Sequence, residues 1–185
     1  PSSPTCQRIP TTAGSEGVRT HIGRGGMDAA EGKESPESKA VREWINTLPE
    51  HQGDDAISPT TPITDIMYLW AQDANLTIVP VHLIRHLTGL TELDLYNNRL
   101  TRLPPEMFRY LKRLTVLNLN NNRLVSLPDE IGQLANLANL YVRNNLLVSV
   151  PDGLRRLTLL RSLFLQGNFI TSLPEDIRSC LIRLK

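Results

Sequence analysis

The chain is poor in cysteine: among 185 residues only Cys6 and Cys180 carry thiols. Small secreted domains are commonly closed by disulfide-bonded cysteine clusters, and none can be built here, which favours a reducing, cytoplasmic setting. No stretch reaches the roughly 18 consecutive apolar residues of a membrane span. No charge of one sign dominates either. The net charge is +1, with 6 Lys/Arg against 10 Asp/Glu in the first 65 residues and 14 against 9 in the rest. A dedicated nucleic-acid arm would concentrate its basic residues. His21, His51, His82 and His86 stand at no recognisable spacing from a nucleophile or metal ligand. Gly23, Gly25 and Gly26 are not framed by a strand and a helix as a phosphate-binding loop must be. Together these absences point away from an enzyme and from any cofactor or metal. The triplet Asn75-Leu76-Thr77 matches the glycosylation pattern but is too short to carry weight.

Leucine, by contrast, is abundant and unevenly placed. Before Asp65 the only leucine is Leu48, whereas 29 lie from Leu69 to Leu184. The core material therefore begins near residue 66. Residues 1–34 are rich in Ser, Thr, Gly and Pro without periodic apolar positions, so they are expected to form a disordered or extended tail. Three arginines against one acid before Asp28 leave organelle import open. Ser35 and Pro36 suit the start of a helix over 35–49, with Val41, Trp44, Ile45 and Leu48 on one face. This helix is expected to cap the following domain, and 50–65 reads as a linker.

A phrase then recurs: LTELDLYNNRL from Leu90, LTVLNLNNNRL from Leu114, LANLYVRNNLL from Leu137 and LRSLFLQGNFI from Leu160. A period this short cannot bury its own apolar face, so the copies must stack into a solenoid. Within each copy apolar residues alternate with others (Leu93 and Leu95, Leu117 and Leu119, Leu140 and Val142, Leu163 and Leu165), which is the period of a strand buried on one face. Asn98, Asn122, Asn145 and Asn168 follow each strand; an amide carries donors and acceptors and can satisfy backbone groups stranded at a sharp turn. Leu103-Pro104, Leu127-Pro128, Val150-Pro151 and Leu173-Pro174 open short outer helices or turns. From these, Met107, Ile131, Leu154 and Ile177 are expected to point inward. A degenerate first copy runs through Ile66, Leu69, Ala71, Leu76, Val79-Pro80, Leu83 and Leu87, with Ala74 in the asparagine position. Tyr110 and Cys180 occupy outer apolar positions, Cys180 as a buried thiol where Leu134 stands two repeats earlier.

The expected fold is thus α/β: a short right-handed leucine-rich repeat horseshoe over 66–185, with about five repeats, parallel strands inside and short helices or turns outside. The L-x-x-L-x-L-x-x-N-x-L-x-x-L-P pattern resembles the intracellular leucine-rich repeat family with LPxxIxxL outer segments, the Ras-suppressor-like, Erbin-like and plant Ras-group-related type. The resemblance implies a protein-binding platform, often in signalling scaffolds.

Residues between the inward leucines project from the concave sheet. The candidate partner-binding residues are Tyr68 and Trp70 in the first repeat, Asp94 and Tyr96 in the second, Asn118 and Asn120 in the third, Tyr141 and Arg143 in the fourth, and Phe164 and Gln166 in the fifth. Trp70, Tyr141 and Phe164 have no duty in the repeat, and large aromatics are enriched at interface hot spots. A non-catalytic, monomeric module gripping a protein partner on this face follows. Two alternatives stand beside it. One is a structural subunit of a large assembly, such as a ribonucleoprotein, held by its tail and by convex Arg109, Lys112, Arg113, Arg155, Arg156 and Arg161. The other is the recognition module of a longer enzyme.

Overall fold

The structure, a computed structural model, describes residues 35–49, 57–58 and 60–173. The tail over 1–34, both cysteines and Ile177 lie outside the described residues.

Five three-residue strands form one parallel sheet in sequence order: β1 Tyr68–Trp70, β2 Glu92–Asp94, β3 Val116–Asn118, β4 Asn139–Tyr141 and β5 Ser162–Phe164. Their register is in step, so Leu69, Leu93, Leu117, Leu140 and Leu163 face one another across the sheet. The first four of these leucines are fully buried. Parallel neighbours in chain order leave each crossover to run over the outside, as a leucine-rich repeat solenoid requires.

Each strand ends in a sharp turn through a residue in the left-handed region: Asp73, Asn97, Asn121, Asn144 and Gly167. Short polar residues and glycine tolerate that backbone, which accounts for the first asparagine of the Asn97-Asn98, Asn121-Asn122 and Asn144-Asn145 pairs. The asparagine that follows in repeats two to five closes the turn. Asn122 Nδ2 donates to Leu95 O at 2.9 Å and to Leu119 O at 3.2 Å, while its Oδ1 accepts from Leu100 N at 3.1 Å. Asn98, Asn145 and Asn168 repeat this arrangement one turn earlier or later. Three of the four, Asn98, Asn122 and Asn145, are nearly inaccessible.

On the outer side the prolines start 3-10 turns at Pro105–Arg109, Asp129–Gln133 and Asp152–Arg156. The first repeat instead makes a single α-helical turn, α2, over Val81–Ile84. The difference corrects two expectations. An α-helix takes 3.6 residues per turn against about 3.0 in a 3-10 helix, and in α2 the fully buried residue is Ile84, with Leu83 half-buried. In the second repeat, four residues rather than three separate Met107 from the next buried leucine, so Leu111 takes the inward position expected of Tyr110. Tyr110 is half-exposed and its hydroxyl accepts from Arg109 at 2.7 Å. The extra length also turns Phe108 wholly into the core.

The 3-10 turns of the third and fourth repeats lie so close that a Cβ on Gly153 would come 2.0 Å from Asp129 O. Replacing Gly153 with Ala is expected to cost about 1–3 kcal/mol by overpacking; an unchanged urea midpoint would contradict this close stacking.

At the N-terminal end, α1 spans Pro36–Asn46, with Ser35 Oγ accepting from Ser38 N at 3.1 Å and Pro36 in the first turn. It packs on α2 and on the 3-10 turn Ile63–Asp65, burying Val41, Ile45 and Leu48. Arg42 is buried on this same face. Its guanidinium donates to Ser58 O at 2.5 Å and Thr61 O at 2.8 Å, and Asn46 Oδ1 accepts from Ile57 N at 2.9 Å. The described part of the span read as a linker is therefore bound to the helix, with Thr61 and Ile63 buried. A charged residue within an amphipathic helix reads as a solvated one, and only the fold shows it satisfying carbonyls that apolar packing would have stranded.

Candidate functional site

Alternation along three-residue strands fixes which side chains leave the inner face of the sheet. Trp70, Asp94, Asn118, Tyr141 and Phe164 lie in one row, in register from strand to strand. The row is not uniform.

At one end Tyr141 and Phe164 stack with centroids 5.2 Å apart and ring planes 5° from parallel. The Arg143 guanidinium lies 4.3 Å from the Phe164 centroid, and its Nε donates to Gln166 Oε1 at 2.8 Å. Both rings remain half-exposed, while Arg143 and Gln166 are exposed. Burial and the negative charge of Glu92 raise the Tyr141 hydroxyl above its ordinary range, with Arg143 opposing. At the other end Tyr68 and Trp70 form a second aromatic pair, 6.1 Å apart at 28°. Tyr68 is 38% exposed and Trp70 half-exposed.

The centre is polar and internally bonded. Asp94 accepts from Tyr96 N at 2.8 Å and from Asn118 Nδ2 at 3.0 Å. Asn118 Oδ1 accepts from Asn120 N at 3.1 Å, and Asn120 Oδ1 accepts from Arg143 N at 2.6 Å. Asn118 is only 4% exposed. It was expected among the partner-binding residues, but its amide is spent on the residues around it and little of it reaches solvent. Tyr96 is half-exposed, its hydroxyl accepting from Asn121 Nδ2 at 3.1 Å. The site thus consists of two aromatic platforms separated by an ordered polar strip. Glu92, which strand alternation also places on this face, lies opposite Tyr68 and on the same side of the sheet as Asp94.

Beyond the concave sheet, a hollow of about 400 Å³ opens on the rim beside Asp73, Asn97, Asn121, Arg99 and Arg123. Its acidic and amide lining is engaged locally: Asn97 Nδ2 donates to Asp73 Oδ1, and Asn144 Nδ2 to Asn121 Oδ1. Among the described residues there is no cluster of His, Cys, Asp or Glu able to hold a metal, and no helix long and apolar enough to cross a membrane. On the convex side Arg109 bonds Tyr110, Lys112 Nζ donates to Gln133 Oε1 at 3.3 Å, and Arg155 pairs with Asp152 at 3.0 Å.

The Leucine rich repeat family matches residues 72–124, 88–147 and 112–170, which together span more than half of the chain. The chain belongs to the leucine-rich repeat family. No curated protein matches this leucine-rich repeat chain with significance. Among solved structures it is similar to a leucine-rich repeat protein of Leptospira interrogans, at 36% identity and a TM-score of 0.61, over 66% of this chain and 30% of that one. It is similar to the BIR2 ectodomain from Arabidopsis thaliana, at 26% identity and a TM-score of 0.53, over 58% of each chain. A third is the leucine-rich repeat ectodomain of the Arabidopsis thaliana plant membrane receptor kinase GASSHO1/SCHENGEN3 in complex with CASPARIAN STRIP INTEGRITY FACTOR 2. That ectodomain shares 35% identity and a TM-score of 0.50, over 58% of this chain and 13% of that one. The leucine-rich repeat chain spans less than two thirds of the length of each of these proteins.

Proposed function

We propose that this chain is a non-catalytic interaction module that grips a protein partner on the concave face of its leucine-rich repeat solenoid and works as an intracellular scaffold. The observation that carries the reading is the Tyr141–Phe164 stack with Arg143 beside it. Two large rings held parallel and half-exposed on a rigid sheet present contact area at little entropic cost, since sheet and stack already fix them. The complex of the GASSHO1/SCHENGEN3 ectodomain with CASPARIAN STRIP INTEGRITY FACTOR 2 supports a binding role for such a solenoid. The Leu-Pro outer turns support the Ras-suppressor-like and Erbin-like subtype, and a chain with two cysteines fits a reducing compartment. The alternative of a subunit held by its convex basic surface draws less support, because Arg109, Lys112 and Arg155 are engaged within the molecule.

The test is affinity capture of the whole chain with mass spectrometry, wild type against Tyr141→Ala with Phe164→Ala. Removing a hot-spot pair is expected to cost about 2 kcal/mol or more, roughly a thirtyfold loss of affinity. Most captured partners should disappear from the double variant. An identical partner set would sink the concave-face reading.

A further inference from the structure

The inner sheet is electrically lopsided. Its outward positions carry Glu92 and Asp94 side by side on β2, while Arg143 lies two strands away and is held between the Phe164 ring and Gln166. Directly across from the two carboxylates in the β1–β2 register are two aromatic rings: Tyr68 opposite Glu92, and Trp70 opposite Asp94. Carboxylates set beside aromatic faces form the environment that receives a cationic side chain, which gains from the charge and from the ring quadrupole together. Arginine suits it best, because its planar guanidinium can stack and fork at once.

Strand spacing turns this into a ruler. From β2 to the middle of the Tyr141–Phe164 stack is two and a half strand spacings, about 12 Å at about 4.8 Å each. An extended chain covers that distance in about three or four residues.

We propose that the partner presents an extended segment with an arginine or lysine seated at Glu92, Asp94 and the Tyr68–Trp70 rings, and an apolar side chain about three or four residues away on the Tyr141–Phe164 stack. The inference rests on the concave-face reading above and adds the partner's charge and spacing to it. Burial, then the charge of Asp94, holds the Glu92 carboxyl above the usual carboxylate range, with a hydrogen bond from Trp70 opposing. A cation delivered to this place favours the charged carboxylate and so offsets that burial and repulsion.

A display library of random twelve-residue peptides, selected on the full chain, tests the proposal. Recovered peptides should be enriched about fivefold or more in Arg and Lys at one position, with a large apolar residue about three or four places away. A resynthesised winner should bind Glu92→Gln about tenfold more weakly at low salt, the gap narrowing as salt rises. Glu92→Lys should shift the selected charge from basic to acidic, a change of preference that partial unfolding would not produce. Two results overturn the proposal: a charge-blind pool, or equal affinity of the basic peptide for wild type and Glu92→Gln. If those same peptides are lost on Tyr141→Ala with Phe164→Ala, the concave-face reading survives without the charge rule. If they bind that variant as well as wild type, or if nothing is recovered on wild type, both fail.

Discussion

Replacing Phe108 with Ala is expected to remove about 3–5 kcal/mol of stability, roughly a fifth or more of what a folded domain commonly has. Phe108 is the largest of the fully buried side chains. It lies in the 3-10 turn of the second repeat between α2 and the turn of the third, both of which pack on that element. A neighbouring repeat cannot close over the vacated volume, because its position is set by the sheet on one side and by Met107 and Leu111 on the other. The cost therefore includes a cavity as well as lost apolar transfer. Guanidinium denaturation followed by tryptophan fluorescence and by circular dichroism reads the loss. A change below about 1 kcal/mol would show that the extra residue of this repeat sits elsewhere.

Asn122→Leu is the second large effect. Leucine shares asparagine's branching and heavy-atom count but accepts and donates nothing. The carbonyls of Leu95 and Leu119 lose their amide donor, and the amide of Leu100 loses its acceptor. A buried polar group left unpaired costs about 1–3 kcal/mol, so losing several at once should exceed the effect of any surface change on this chain. Asn168→Leu offers an internal control. It makes the same kind of bonds to Val142 O, Leu165 O and Leu147 N but is only half-buried, so the same substitution should cost less. Equal melting temperatures for the two variants would contradict a ladder that strengthens toward the middle of the stack.

The repeat made both expectations readable in advance to different degrees. The asparagines could be assigned from the sequence because they recur with the strand period, and any residue that recurs in a stack must meet its own copies. Phe108 could not. It occurs once, in one of the two repeats whose outer segment is a residue longer, and periodicity speaks only for what repeats. The same limit explains Ile84 displacing Leu83: the choice between an α-helical and a 3-10 turn depends on what packs against it, and here α1 packs on α2.

Within the candidate site the division is similar. The side of the sheet on which Trp70, Asp94, Asn118, Tyr141 and Phe164 emerge was legible from alternation, because successive residues of a strand must point to opposite faces. Whether each then reaches solvent was not. Asn118 is closed off by its bonds to the Asp94 carboxylate and to the backbone of Asn120. Tyr141 and Phe164, equally in register, stay partly exposed, each covering one face of the other.

Sequence alone therefore determined the solenoid, its strand register and the asparagine ladder, since these follow from a period that neighbouring copies must satisfy together. Only the tertiary structure decided that Arg42 ties down the chain ahead of the first repeat, that Phe108 fills the core, and that carboxylates lie between two aromatic platforms. Each of these depends on single residues brought together from different repeats, and distances between non-repeating side chains are written in the packing rather than in the period.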